Sequence, residues 1–345
     1  MKRRSFLQGA AAALGAPPLC GLAQQGITLK LHTFMPPMSK VWTTMLRPWM
    51  QEVEKDSGGR IRFEAFPAMQ LGGTAVQLYD QARDGVVDIV WTLPGYTAGR
   101  FPRIEAFELP FVMSDAASTS RALWSYVQTQ CPDEFADTQV LALHVHGPGA
   151  IHTQRRAVNT AADLKGMKLR GPTRQATRLL AALGAIPVGM PLPQIPEALS
   201  KGAIEGCLLP WEAVPSVKVH ELTRFHSEFA AGAPALYTAT FAMVMNKARY
   251  AALPVELRRI IDARSGPTAS AWLGRVQQDN DASGRQLALE RHNTLHVFTP
   301  AQAAEFAARA GAIDDEWVAD MDKRGFKGAA LLASARRLIA QSGRA

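Results

Sequence analysis

Arg170 stands at the end of a segment that could present a guanidinium group to an anion. Apolar Met167 and Leu169 alternate with basic Lys168 and Arg170 inside DLKGMKLRGP, residues 163–172. This period of two predicts a half-buried strand, and the Gly-Pro pair after the arginine ends it.

Thr173 can then cap a helix that carries Ala176, Leu179, Leu180 and Leu183 at helical spacing. The arginine would lie beside the helix N-terminus, where negative charge is favoured, and its planar fork of donors suits a carboxylate. On these residues alone, a solvated arginine in a surface ion pair remains the alternative, because arginine side chains are mostly exposed.

The elements around this segment alternate between strand and helix. Period-two patterns predict strands at 27–31, 61–65 and 86–91, and helical spacing predicts helices at 42–53 and 76–82. A similar alternation returns around 167–209. Two such βαβ units favour an α/β fold with parallel sheets and two similar lobes.

A longer pattern of motifs resembles one protein family. After residues 163–172 come GAIPVGMP, a proline-started helix and GAIEG, and this order is similar to that of the solute receptors (DctP family) of tripartite ATP-independent periplasmic (TRAP) transporters. Other matching stretches are QLGG at 70–73, RDGVVD at 83–88, FELPF at 107–111 and MNK at 245–247. The resemblance covers nearly the whole mature chain.

The resemblance implies a fold of the periplasmic-binding-protein type, with two similar α/β lobes around a cleft, hinge strands and a long bracing helix. We expect crossings between the lobes near Gly147-Pro148-Gly149 and Gly232-Ala233-Pro234. The expected ranges are 24–148 plus about 235–265 for lobe I, 149–234 plus about 295–345 for lobe II, and about 267–292 for the long helix.

Ligands of open α/β sheets bind beyond the carboxyl ends of the strands, so the residues at those ends are the candidate site. The resemblance to this family implies a role for Arg170, because the matching arginine of the family forms a two-pronged salt bridge with the carboxylate of the solute. Both tryptophans among the candidates could equally be core residues. The substrate-binding candidates are Phe34, Trp91, Arg170, Leu209, Trp211, Glu212 and Phe241.

Several positions depart from the receptors of acidic sugars that the family contains. Those receptors carry a second arginine where this chain has Ala150-Ile151, an asparagine in place of Leu209 and an aromatic residue in place of Leu192. Apolar side chains thus replace polar ones. We therefore expect a monocarboxylate with an apolar or aromatic body, favouring a 2-oxo or 2-hydroxy acid, and not a polyhydroxylated sugar acid.

The role of Glu212 stays open at this point. Its carboxylate could accept a hydrogen bond from a solute hydroxyl or amine, ligate a cation, or pair with Arg170 in an empty cleft. Some relatives bind an ion beside the solute, but one carboxylate is too little to predict a metal, and we predict no cofactor. His144, His146 and His152 fit a strand that leads to the hinge better than a metal site.

The N-terminus predicts export. Residues 2–7, KRRSFL, match a twin-arginine (Tat) signal, and a weakly apolar stretch ends at GLA, a small-x-small cleavage site, so residues 1–23 are expected to be removed. Cys131 and Cys207 would then remain, as buried thiols more than as a disulfide. The predicted location is the periplasm.

Composition excludes some partners. The chain has 345 residues and a net charge of +8, of which Lys2, Arg3 and Arg4 supply three. The processed chain would be near +5 without basic runs, which argues against nucleic-acid binding. The resemblance implies as partners a carboxylate solute and the small and large integral membrane subunits of a TRAP permease, and we favour a monomer over a dimer.

The leading hypothesis is therefore a solute receptor without catalytic activity. The alternative is a periplasmic oxidoreductase that carries a cofactor, because twin-arginine signals often serve such enzymes. Against it, the sequence contains no CxxC or CxxCH, no GxGxxG after a strand and no HExxH motif.

Overall fold

Two mixed β-sheets form the framework of the protein. The computed structural model describes residues 26–343. The first sheet has the strand order β2-β1-β3-β10-β4 and the second has the order β11-β9-β5-β8-β6-β7. The strands are β1 (Ile27–Thr33), β2 (Ile61–Phe66), β3 (Ile89–Thr92), β4 (Thr138–Val145), β5 (Gly149–Thr153), β6 (Lys168–Gly171), β7 (Ile186–Gly189), β8 (Gly206–Pro210), β9 (Phe225–Phe229), β10 (Thr240–Asn246) and β11 (Thr294–Phe298).

Helices cover both sheets. The first begins as a wide turn at Val41–Leu46 and continues regularly. The helices are α1 (Arg47–Asp56), α2 (Leu78–Arg83), α3 (Ala116–Gln130), α4 (Arg174–Ala182), α5 (Ile195–Ser200), α6 (Val219–Leu222), α7 (Lys247–Ala251), α8 (Val255–Ala263), α9 (Gly266–Asp279), α10 (Asp281–Glu290), α11 (Pro300–Arg309), α12 (Ile313–Lys323) and α13 (Gly328–Ser342).

The predicted βαβ units are present in both sheets. β1 pairs in parallel with β2 and β3, and β6 pairs in parallel with β7 and β8. The strand predicted at 86–91 is shorter and later, because Gly85 has a positive φ of 76° and the chain is still turning after it. Val86 is consequently 59% exposed, whereas Ile89 and Trp91 are fully buried.

The chain passes between the sheets in two turn-rich segments. β4 belongs to the first sheet and β5 to the second, so residues 146–148 connect them. The return lies between β9 and β10, at residues 230–239. β10 then runs antiparallel to β3 and β4. The fold is thus a mixed α/β architecture with two lobes, as the sequence predicts.

The long bracing helix expected over about 267–292 is interrupted, and this is a correction. α9 ends at Asp279 and α10 begins at Asp281. At the junction, the Asn280 side chain donates a hydrogen bond to the Val276 carbonyl (2.7 Å), and its backbone N–H donates to the Gln277 carbonyl (3.3 Å). Because the side chain takes the carbonyl that the backbone would use, the regular hydrogen-bond ladder breaks there.

The C-terminal region also differs from the expectation that all of 295–345 accompanies the second sheet. β11 pairs with β9, and α11 packs on β11. α13 instead packs against α3, which covers the first sheet through β4. The buried face of α13, with Leu331, Leu332 and Ala335, explains this placement, because it needs an apolar helix surface to cover it.

Cys131 and Cys207 are buried free thiols, so they do not form a disulfide. Between residues 26 and 343, no helix is long and apolar enough to cross a bilayer. The predicted export signal and Cys20 lie outside the described residues.

An ion-pair cluster joins the two halves next to the cleft. Glu105 precedes the first-sheet helix α3, and Arg174 begins α4 on the second sheet. Arg174 Nη2 donates to Glu105 Oε2 (2.6 Å), Gln175 Nε2 donates to the same oxygen (2.6 Å), and Arg174 Nη1 donates to Asp320 (2.9 Å). Because Glu105 is only 5% exposed, its charge depends on these donors.

We predict that Glu105→Gln lowers the free energy of unfolding by about 2 kcal/mol, since it weakens several charge-assisted hydrogen bonds in a buried position. Urea denaturation followed by circular dichroism measures the change. Glu305→Gln is the matched control, because Glu305 pairs with Arg309 on an exposed helix face (2.9 Å) and such pairs contribute under about 1 kcal/mol. Equal effects of the two substitutions would contradict the prediction.

Candidate functional site

Arg170 is buried at the end of β6 and its guanidinium is fixed by the backbone. The side chain is 1% exposed. Its Nε donates to the Met190 carbonyl (2.9 Å) and its Nη1 donates to the Leu208 carbonyl (3.0 Å). Two neutral carbonyl oxygens orient the group, and none of the salt bridges within residues 26–343 includes Arg170. A buried cation in this state favours an anionic ligand.

The turn after Arg170 forms as the sequence predicts. Thr173 has extended backbone angles and its hydroxyl accepts from the Ala176 N–H (3.3 Å), so it caps α4. Ala176, Leu179 and Leu180 are buried on one face of that helix. The strand end and the helix start thus hold the arginine at the edge of the second sheet.

Three aromatic rings from the first sheet form an apolar wall. The rings of Trp91 and Phe241 stack with centroids 4.5 Å apart and planes 11° from parallel. Phe34 packs on Trp91 at 5.4 Å. The Trp91 indole N–H donates to His144 Nε2 (2.8 Å), which satisfies the polar atom of the ring and fixes its orientation.

These groups surround one narrow cavity between the sheets, with a volume of about 30 Å³. Six of the seven predicted residues lie on it, and the apolar lining continues through Leu93, Leu192 and Ala239. A mostly apolar lining around one charged group suits a compact acid with an apolar body. The predicted residues on the cavity are Phe34, Trp91, Arg170, Leu209, Glu212 and Phe241.

Trp211 is the exception, and its predicted place in the pocket is corrected. Its indole packs at 4.9–5.0 Å from the rings of His152 and His226, and its N–H donates to Glu228 (2.5 Å). Gly284 of α10 approaches the Trp211 backbone so closely that a Cβ there would lie 1.9 Å from the carbonyl oxygen. This contact fixes the turn after β8, and the indole belongs to the core of the second lobe.

The three histidines near the hinge occupy buried positions, as expected for strand residues that lead to it. His152 Nε2 donates to the Leu209 carbonyl (2.9 Å), and its Nδ1 is paired with Nδ1 of His226 (2.7 Å). Burial lowers the pKa of His152 to about 4 and that of His146 to about 4, so both rings are neutral. His146 differs from the other two because it also lines the cavity.

Sequence reasoning did not select four polar residues of the lining: Tyr96, His146, Tyr237 and Gln277. Tyr96 lies in a turn after β3, and its hydroxyl accepts from the Leu192 N–H (2.9 Å). Tyr237 lies in the return segment. Its ring fits against the hinge because Gly149 has no Cβ, which would lie 2.0 Å from the Tyr237 ring. Only the proximity of Tyr237 to the predicted crossing could have signalled it.

Glu212 lies on the cavity but is bonded to a helix side chain. Its Oε1 accepts from Gln277 Nε2 (2.5 Å), and its backbone N–H donates to Asp281 Oδ1 (2.9 Å). The carboxylate is therefore bonded to Gln277 and not to Arg170. Within residues 26–343, no group of three or more His, Cys, Asp or Glu side chains could hold a metal ion.

Two sheets on either side of a cavity that a buried arginine lines are the architecture of a two-lobed binding protein. The family model described as bacterial extracellular solute-binding protein, family 7 (DctP) matches residues 33–320. The chain belongs to this family.

Solved structures of TRAP solute-binding proteins share the fold at high coverage. One from Rhodoferax ferrireducens T118, in complex with copurified benzoate, is 64% identical, with a TM-score of 0.92, over 92% of this chain and 99% of that one. One from a marine metagenome, with 3-hydroxybenzoate, is 44% identical, with a TM-score of 0.90, over 92% and 99%. One from Bordetella bronchiseptica, with mandelate, is 29% identical, with a TM-score of 0.83, over 91% and 99%.

The buried carboxyl of Glu212 makes a prediction about pH. Burial raises its pKa in the folded protein to about 7 from an ordinary 4.5. Its contribution to stability is therefore fully present below about pH 4.5 and is lost as the pH rises through about 7. We expect Glu212→Gln to gain stability relative to the wild type across this interval, by about 2–3 kcal/mol.

Urea denaturation at pH 4.5, 6 and 7.5 measures the difference. Glu316→Gln serves as the control, because Glu316 is exposed. If the free energy of unfolding of Glu212→Gln differs from that of the wild type by the same amount at all three pH values, burial does not destabilise the ionised carboxyl and the prediction is wrong.

Proposed function

We propose that this protein is the receptor of a TRAP transporter and that its solute is an aromatic monocarboxylate. It would capture the acid between its lobes and deliver it to the membrane permease, without catalysis. The observation that carries the proposal is the buried guanidinium of Arg170, directed to a small cavity with stacked aromatic rings.

The charge of the site supports a single carboxylate. Arg170 is the one cationic side chain on the cavity among the described residues, and Glu212 provides an opposing carboxyl group. An ionised solute group next to Arg170 gains charge-assisted hydrogen bonds in a water-poor place, whereas a second carboxylate would meet Glu212.

The shape and polarity of the lining support an aromatic body. Phe34, Trp91 and Phe241 present ring faces to the cavity. Leu192 and Leu209 also line it, at positions where the acidic-sugar receptors of the family have larger or more polar side chains. The relatives with benzoate, 3-hydroxybenzoate or mandelate bound are consistent with this class. Mandelate is also a 2-hydroxy acid, the type that the sequence favours.

Location and partners complete the proposal. The family is extracellular, and the twin-arginine pattern at residues 2–7 favours export to the periplasm in a folded state. The permease partners would be a small and a large integral membrane subunit, and a monomeric receptor is expected. Binding would favour the closed form, because only that form lets Arg170 and the aromatic wall contact one solute together.

We predict that Arg170→Lys weakens benzoate binding at least tenfold, since lysine keeps the charge but loses the planar pair of donors. Arg170→Ala should abolish measurable binding. Isothermal titration calorimetry gives the affinities. Arg170→Ala also leaves the Met190 and Leu208 carbonyls without their donor, so a loss of about 1–3 kcal/mol in stability accompanies it.

Arg259→Ala is the matched control, because Arg259 is exposed on α8. The panel should also contain malonate and a sugar acid such as galactonate, which we expect to bind weakly. An Arg170→Lys protein with wild-type affinity, or a wild type that binds galactonate but no aromatic acid, would overturn the proposal.

Fluorescence separates the two tryptophans that the sequence could not distinguish. Trp91 lies on the cavity and Trp211 does not, so Trp91→Phe should remove most of the fluorescence change caused by benzoate, and Trp211→Phe should preserve it. Titrations with excitation of tryptophan measure both. If the signal depends on Trp211 alone, the arrangement of the site described above is wrong.

A further inference from the structure

Three buried polar atoms of residues that line the cavity have no hydrogen-bond partner within residues 26–343. They are the Tyr237 hydroxyl, Glu212 Oε2 and Gln277 Oε1. Their residues are 1%, 2% and 3% exposed, respectively, and all three line the cavity that Arg170 faces. Buried polar groups are nearly always bonded, so three such atoms in one place need an explanation.

The three residues are held in place by contacts that do not use these atoms. Glu212 is fixed by Gln277 through Oε1 and by Asp281 through its backbone N–H. Tyr237 is held against Gly149, and its backbone carbonyl accepts from the Gly149 N–H (3.0 Å). The free atoms therefore belong to side chains that are already ordered, which is the arrangement of a preformed binding site.

We propose that Tyr237, Glu212 and Gln277 form a second polar subsite, which recognises a hydroxyl group on the solute while Arg170 binds its carboxylate. This inference rests on the proposed function and narrows the solute class to hydroxylated aromatic monocarboxylates. In this arrangement the three residues of the subsite determine specificity for the hydroxyl group, and Arg170 provides affinity for the carboxylate.

The chemistry of the free atoms selects a hydroxyl. Gln277 Oε1 is an acceptor, Glu212 Oε2 is an acceptor when the carboxyl is ionised, and the Tyr237 hydroxyl can donate or accept. A solute hydroxyl can donate to one of the acceptors and accept from the tyrosine. A second carboxylate would instead bring further acceptors and negative charge to Glu212, so the subsite excludes aromatic dicarboxylates.

The experiment compares probes that share a benzene ring and a carboxylate and differ in whether they carry a hydroxyl group or a second carboxylate. Isothermal titration calorimetry is performed with benzoate, the three hydroxybenzoate isomers, mandelate and benzene-1,3-dicarboxylate, on the wild type, Tyr237→Phe and Glu212→Gln. We expect the wild type to bind at least one hydroxylated acid about tenfold more tightly than benzoate, as for one well-placed buried hydrogen bond.

Each variant should reduce that preference to about threefold or less, because the hydroxylated acid loses more affinity than benzoate does. Glu212→Gln should also improve binding of the dicarboxylate. Tyr237→Phe removes an atom without a partner, so thermal unfolding should show an intact fold. Arg170→Lys is the matched comparison, because it should weaken all the acids by a similar factor.

The outcomes distinguish this inference from the function on which it rests. If the wild type binds no aromatic acid, the proposed function fails and the subsite fails with it. If benzoate binds and depends on Arg170 but no hydroxylated acid is preferred, only the subsite is wrong. Variants that weaken benzoate and hydroxylated acids equally would likewise overturn the subsite.

Discussion

A buried positive charge that forms no salt bridge within residues 26–343 is the constraint on which the structure depends. The guanidinium of Arg170 is oriented by the carbonyls of Met190 and Leu208, which accept hydrogen bonds but carry no net charge. Burial of an ion without a counter-ion is costly in free energy. Under the proposed function, a carboxylate from solution would relieve that cost, and its affinity for the site would come from the same source.

The rest of the fold brings apolar surface to that charge. The arginine comes from the second sheet, and the aromatic wall of Phe34, Trp91 and Phe241 comes from the first. The Glu105–Arg174 cluster joins the two halves four residues beyond Arg170. Under the proposed function, solute capture and lobe closure would be coupled, because Arg170 and the aromatic wall lie on different lobes.

Much of this organisation could be predicted from residue order. The strand that ends at Arg170 and the helix capped by Thr173 follow from local patterns, and the βαβ order gives the class of fold. Local patterns placed the bracing helix but missed its interruption, because the Asn280 side chain competes for a helix carbonyl. They also misplaced α13, because the partner of an apolar helix face is not encoded near it.

The sequence alone indicated the family, the arginine that is proposed to bind the solute and the apolar character of the pocket, since these depend on residue type and short-range spacing. Tertiary structure alone decided which side chains meet. Trp211 turns to Glu228 and two histidines, while Tyr237 enters the cavity over a glycine of the hinge. The physical reason is that side-chain direction depends on packing between segments far apart in the chain, and a linear pattern does not contain that packing.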